Sequence, residues 1–204
     1  MKDTKKIQTE YEATFLDINK EKIRTRLKEI GAKLVYPEFL QKRVAFRLPA
    51  GHEIEGGFLR VRKECDKNTM SLKIISGDKI ADQKEIFLKI DDFDKGVIFL
   101  ESIGCTQKAF QETKRELWVV GEVEVTIDEW PFLEPYIEVE GKSEEAVKKV
   151  SEELGFDYSK AFFGSAATII GKKYGISEDL INNHTPLIVF GGENPYLIHQ
   201  KSEK

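Results

Sequence analysis

The sequence predicts an α+β protein dominated by an antiparallel sheet, and three observations predict it. Charged and apolar residues alternate with a period of two in roughly eight stretches, the pattern of strands whose successive side chains point to opposite faces. Helical periodicity occurs only between groups of these stretches, as expected when helices are inserted into a mostly antiparallel sheet. The alternating faces also carry charges of both signs. Tyr136-Ile137-Glu138-Val139-Glu140-Gly141 puts two acids on one face and two apolar residues on the other, and Glu10-Tyr11-Glu12 and Glu122-Val123-Glu124-Val125 repeat the pattern. Phe58-Leu59-Arg60-Val61-Arg62 is the basic counterpart. One such strand is simply solvent-facing. Several with complementary charges fit a closed sheet that turns those faces inward.

Taken in order, residues 7 to 16 form the first strand, with Glu10, Glu12 and Thr14 on one face. Asn19 caps a helix that carries Ile23, Leu27 and Ile30 on one stripe and stops at Gly31. Strands follow over 35–48 and 57–64, separated by Pro49-Ala50-Gly51 and Gly56-Gly57, and then over 69–76 and 83–90. A second helix spans Phe93–Ser102, followed by strands over 107–120 and 122–128 and by the acidic strand. Ser143 caps a third helix bearing Ala146, Val147, Val150 and Leu154. A fourth covers Ala161–Tyr174, and Ser177 caps a short fifth. Residues 1–175 thus read as the main domain, and 176–204 as an extended appendage lying over it.

With 36 acids against 32 bases the net charge is −4, which argues against a general nucleic-acid binder. Met1 to Lys6 carry no apolar core of a secretory signal, and no run of eighteen apolar residues occurs, so a cytoplasmic protein without a membrane span is expected. Cys65 and Cys105 are too few for a disulfide framework, and His52, His184 and His199 lack the spacing of a zinc site. Tyr11, Trp118 and Tyr136 are read as packing beneath the helices, whereas Trp130 and Phe132 are candidates for the rim of the charged face.

Candidate inward acids are Glu10, Glu12, Glu85, Glu122, Glu124, Asp128, Glu138 and Glu140, and candidate inward bases are Arg60, Arg62, Lys73 and Arg115, with Lys89 or Lys114 as further choices. Burying a lone charge costs several kcal/mol, so an interior of this kind must be balanced, wet or bound to something. A highly charged small ligand together with a divalent cation satisfies both halves: arginine forks match phosphate oxygens, and carboxylates suit Mg²⁺ or Mn²⁺.

On these motifs, in this order and spacing, the chain resembles the CYTH superfamily of triphosphate tunnel metalloenzymes. That group includes class IV adenylate cyclases, thiamine triphosphatases and inorganic triphosphatases. The resemblance runs from Thr9 to Gly164. It rests on Glu10-Tyr11-Glu12, Phe58-Leu59-Arg60-Val61-Arg62, Lys73, Lys114-Arg115-Glu116, Ile127-Asp128 and the acidic strand. It implies an eight-stranded antiparallel β-barrel, a tunnel with helices packed outside, that takes a small-molecule triphosphate. By this analogy Arg60, Arg62, Lys73 and Arg115, with Lys114 beside it, hold phosphate oxygens. Glu10, Glu12, Glu138 and Glu140 would hold Mg²⁺ or Mn²⁺, with Glu124 and Asp128 as further ligands. The implied activity is metal-dependent hydrolysis of a triphosphate. The alternatives are an adenylate cyclase making cyclic AMP and pyrophosphate, or a binder without turnover, and a homodimer is left open.

Two positions depart from the pattern. Thr14 stands where the family has lysine, so no catalytic residue is assigned, and Arg43 or Lys89 is named as a replacement cation. Phe132-Leu133-Glu134-Pro135 stands where many relatives have Gly-Leu-Gly, which changes a loop rather than the lining. Since Lys114 and Arg115 are adjacent, only one can point inward, and Arg115 is the better match.

Overall fold

The alternation becomes a single sheet in the computed structural model, which describes residues 7–202. The amino-terminal stretch read above for a secretory signal, and the side chain of His199, lie outside the described residues. The chain opens with β1 (Gln8–Thr9) and β2 (Tyr11–Phe15), followed by α1 (Lys20–Glu29). Next come β3 (Lys33–Arg47), β4 (Gly57–Glu64), β5 (Lys67–Ile75) and β6 (Gln83–Ile90), then α2 (Phe93–Ser102). β7 (Thr106–Val120), β8 (Val123–Glu129) and β9 (Tyr136–Gly141) lead to α3 (Glu144–Glu153). The chain ends in α4 (Ala166–Tyr174), α5 (Glu178–His184), β10 (Leu187–Ile188) and α6 (Pro195–Ser202).

The strand order is β1-β6-β5-β4-β3-β7-β8-β9-β2, with β10 alongside β7. β1 and β2 are two halves of one strand, so the path returns to its start and the sheet is a nearly closed barrel. The break falls at Glu10, whose N–H donates to the Gln83 carbonyl at 3.0 Å. Before it the strand pairs with β6, and after it with β9. The sheet therefore has ten strands rather than the expected eight. The two extra come from this split and from the two-residue β10, which pairs in parallel with Phe110 and Gln111.

Closure sorts the faces. Outside, Ala13, Phe15, Val125, Ile127, Ile137 and Val139 meet the apolar stripes of α1 and α3, Ile23, Leu27, Val147 and Val150 among them. Asn19, Asp92 and Ser143 cap the amino ends of α1, α2 and α3, each accepting from a backbone N–H of the first turn. α2 covers Val44, Phe46 and Val61 on the opposite side. Gly96 of α2 fits because a Cβ there would lie 2.5 Å from Ile90 Cδ1. Trp118 lies in the outer core as expected. Tyr136 also packs beneath helices, with Ile170 and Ile181, but it does so from the inward face of Glu138 and lines the cavity, a consequence of the same alternation.

The carboxyl-terminal part differs from its expected outline. The fourth helix begins at Ala166, not Ala161, because Phe162 is extended and exchanges backbone hydrogen bonds with Thr14, at 2.9 and 3.0 Å. Ser165 then caps the helix. The tail is mostly helical, and its Ile181, Ile188 and Tyr196 pack with Trp130, Tyr136 and Ile170 over one end of the barrel. Phe132 sits at φ 66°, a left-handed conformation costly for a residue with a Cβ. It is held there by its surroundings: its carbonyl accepts from Tyr174 Oη at 2.6 Å and Lys173 Nζ at 2.9 Å, and its ring lies edge-on to Tyr196. No described helix is long and apolar enough to cross a membrane.

Candidate functional site

Barrel closure encloses a cavity of about 530 Å³ lined by both signs of charge. Going round the barrel, β3 and β4 lie across from β2 and β9. The acidic residues of β2 and β9 therefore face the arginines of β3 and β4 across the lumen.

On the acidic wall Glu10, Glu12 and Glu140 each offer a carboxylate oxygen, and these atoms lie within 4.8 Å of one another. Lys73 Nζ, from β5, is 2.8 Å from Glu10 and 3.4 Å from Glu12. One ammonium against three carboxylates leaves negative charge uncompensated. Burial pushes Glu10 up to about 8; Lys73 opposes the shift, and Glu12, Glu85 and Glu140 add to it. Burial and then Glu12 push Glu140 up to about 7. A convergent, oxygen-only, charge-deficient set of this kind fits a hard divalent cation.

The basic residues are tethered but keep free donors. Arg60 donates through Nε to Ser71 at 3.0 Å and through Nη2 to Glu85 at 2.8 Å. Burial alone would raise Glu85, but Arg60 and Lys73 outweigh it and hold it well below the usual carboxylate range. Arg62 Nε lies 2.8 Å from Glu64. Arg115 grips Asp128 through Nε and Nη2 at 2.7 and 2.8 Å and reaches Glu138 at 2.7 Å. A guanidinium has five N–H groups, so each of these arginines retains donors for an anion in the lumen.

The sequence-derived residues thus divide. Arg60, Arg62, Lys73, Arg115, Glu10, Glu12, Glu124, Glu138 and Glu140 all line the cavity. Lys114 does not: its Nζ lies over the Phe190 ring at 4.7 Å and 3.5 Å from Glu129, because neighbouring residues of a strand face opposite ways. Asp128 is a second correction. It is 1% exposed and engaged by Arg115 and by Thr126 Oγ1 at 2.7 Å, so its oxygens are taken up apart from the acidic trio. Glu138 likewise pairs with Arg115, and Glu124 lies outside the trio. Thr14, buried on the Glu12 face opposite Glu138 in the register, brings no charge. Lys89 is exposed and does not line the cavity, whereas Arg43 does. Lys108, which the sequence did not single out, also lines it and donates to Asn182 at 3.1 Å.

The CYTH domain family model matches residues 8–167, most of the chain, and the match covers every cavity residue of β1 to β9. The chain belongs to the CYTH family. The CYTH barrel also appears in solved structures. A protein from Pyrococcus horikoshii shares 22% identity at a TM-score of 0.64, covering 80% of this chain and 99% of that one. A candidate adenylate cyclase from Vibrio parahaemolyticus shares 15% identity at 0.68, covering 81% and 99%. A candidate adenylyl cyclase from Hippeastrum, described as having a dominant triphosphatase activity, shares 14% at 0.51, covering 82% and 96%. At such identities these likenesses establish the fold. No curated protein matches the sequence. CYTH domains are in general metal-dependent, and this one carries a cluster of three acids, Glu10, Glu12 and Glu140.

Two outcomes are expected from this geometry. Lys114→Ala should leave any affinity for tripolyphosphate within about twofold of the parent protein, since its long, half-buried ion pair with Glu129 lies apart from the cavity and the side chain faces away from the lumen. A tenfold loss by calorimetric titration would place Lys114 in the site. The second concerns pH. Glu10 and Glu140 keep their protons in the folded chain above the ordinary value of 4.5, so between there and about 8 the folded state binds more protons than the unfolded one. Stability therefore falls as pH rises across that window. The metal-free unfolding midpoint should drop over this range, and Mg²⁺ should raise it more at the alkaline end. A flat or rising midpoint would contradict the assignment.

Proposed function

We propose that this protein binds a triphosphate compound with Mg²⁺ or Mn²⁺ inside the tunnel and hydrolyses it. The observation that supports this most strongly is the opposition of the acidic trio to the arginine-bearing wall within one enclosed cavity. Glu10, Glu12 and Glu140 are the residues that would hold the cation, which when bound neutralises developing charge on the phosphoryl oxygens. Arg60, Arg62 and Arg115 direct their remaining N–H groups at phosphate oxygens, and Lys73 stands between them and the acids as a point charge. No covalent nucleophile is needed, because phosphoryl transfer to water is mainly positioning and charge stabilisation. The CYTH relative from Hippeastrum, with its triphosphatase activity, agrees with this reading.

An organic triphosphate is favoured over the inorganic compound by the capped end of the cavity. There Phe58, Ile170, Ile181 and Ile188 line a mixed chamber beside Lys108 and Asn182, with apolar surface that a bare phosphate chain would leave unused. The second reading, cyclisation of ATP, draws on the same chamber for a nucleoside.

The deciding experiment supplies tripolyphosphate, thiamine triphosphate and ATP, each with Mg²⁺ or Mn²⁺, and follows phosphate, pyrophosphate and cyclic AMP together. Phosphate release that disappears in Arg60→Ala establishes the triphosphatase and its substrate. Cyclic AMP with pyrophosphate establishes the cyclase, and tight binding with no product establishes a binder.

A further inference from the structure

Arg43 is the cavity arginine without an acidic partner. It is 8% exposed, and among the described residues no carboxylate forms an ion pair with it, whereas Arg60, Arg62, Lys73 and Arg115 each have one. Its Nη2 donates to two neutral acceptors, Gln41 Oε1 at 2.6 Å and Thr113 Oγ1 at 2.9 Å. Its Nε is buried with no hydrogen-bond partner. The guanidinium lies over the Trp130 ring, 4.7 Å from the centroid, which fixes its plane.

Its neighbours make the isolation worse. In the register of β3 with β4, Arg43 stands directly opposite Arg62, so two guanidiniums face the lumen side by side. Like charges paired across strands are destabilising. Burial, followed by the charges of Arg60, Arg62 and Arg115, pulls Arg43 down to about 9. A buried cation with a free donor, held in place by neutral groups and set beside a second cation, is costly in the empty tunnel unless something anionic completes it. Trp130, Gln41 and Thr113 hold the fork without neutralising it, which leaves the charge available to a ligand. The pair also lies across the lumen from the acidic trio, so an anion bridging a cation on that wall would meet Arg43 and Arg62 with its far oxygens.

We propose that Arg43 is a phosphate-binding residue of the tunnel, forming with Arg62 a two-guanidinium clamp whose charge balance is completed by the bound anion. This rests on the triphosphate reading above but adds a residue outside its arginine motif. The clamp also accounts for a tunnel that works as an anion site although Thr14 contributes no cation.

The test pairs calorimetric titration of tripolyphosphate, in the presence of Mg²⁺, with thermal unfolding of the unliganded protein for the parent, Arg43→Met and Arg43→Lys. Methionine fills similar space without charge, and Gln41 and Thr113 keep their mutual hydrogen bond at 3.1 Å. Arg43→Met should lose roughly ten- to a hundredfold in affinity, the effect of one charge-assisted contact, while its unliganded midpoint stays level or rises. Arg43→Lys should recover much of the affinity. Unchanged affinity in Arg43→Met overturns the clamp and leaves the triphosphate reading intact, as does a loss accompanied by a lowered midpoint, which marks a structural role. A parent protein that binds neither tripolyphosphate nor, in the same titration, thiamine triphosphate or ATP overturns both.

Discussion

Arg115→Ala is expected to lower the thermal unfolding midpoint by roughly 6 to 20 °C. The guanidinium satisfies both oxygens of Asp128, which is 1% exposed, and one oxygen of Glu138. Burial alone would raise Asp128, but Arg115 outweighs it and keeps the group ionised. Taking the arginine away strands that charge with only neutral help, from Thr126 Oγ1 and the neighbouring Glu138. Breaking a buried pair in this way costs about 3–5 kcal/mol, and about 2–4 °C follows from each kcal/mol in a chain of this size. The remedy distinguishes the cause. Adding Asp128→Asn to Arg115→Ala should restore part of the midpoint, because the stranded charge is then gone. Thermal denaturation followed by circular dichroism reads both variants. A single variant within about 2 °C of the parent, or a double variant no better than the single, would show that the pair does not hold the wall together.

Glu140→Gln is expected to have the opposite profile, an activity loss on the order of a hundredfold or more with no loss of stability. Glu140 has no ion pair among the described residues, and while the cation is absent burial and the neighbouring Glu12 oppose its ionised form more than Lys73 favours it. Glutamine keeps its size and removes its charge, so the unliganded fold should be as stable or more so. The same change replaces one of the three convergent carboxylates proposed to hold the cation with a neutral amide, so Mg²⁺-dependent turnover, and Mg²⁺-induced stabilisation in a thermal shift, should both collapse. Retained turnover would move the cation to another set of acids. A marked fall in the metal-free midpoint would mean that Glu140 supports the fold. Together with Arg115→Ala this separates two kinds of acid, those that pair with Arg115 and the convergent trio proposed to hold a metal.

Much of this arrangement was legible before folding. Glu10 with Glu12, Arg60 with Arg62 and Glu138 with Glu140 are each two residues apart, and the period of a strand alone puts each pair on one face. The helices too were legible, since Asn19, Ser143 and their apolar stripes are local signals. What was not legible depends on register. β3 carries irregularities in its pairing with β7 between Leu34 and Tyr36 and between Tyr36 and Phe39, so that both Tyr36 and Phe39 line the cavity although simple alternation would put them on opposite faces. Lys42-Arg43 and Lys114-Arg115 are adjacent basic pairs in strands of this kind, and no local rule says which member turns inward.

The sequence by itself determined which side chains share a face, that the faces carry opposite charges, and the family to which that pattern belongs. These are properties of a two-residue repeat and need no partner strand. Only the tertiary structure decided which acids converge without an arginine partner. Glu10 and Glu12 meet Glu140 because the first strand breaks at Glu10 and crosses from β6 to β9, closing the barrel. Asp128 and Glu138 are withdrawn from that set because β7, β8 and β9 bring Arg115 onto them. Arg43 is left unpaired because its neighbour across the strands is another arginine. A charge in a folded chain is defined by what the register sets beside it, and register is a long-range property that alternation alone does not contain.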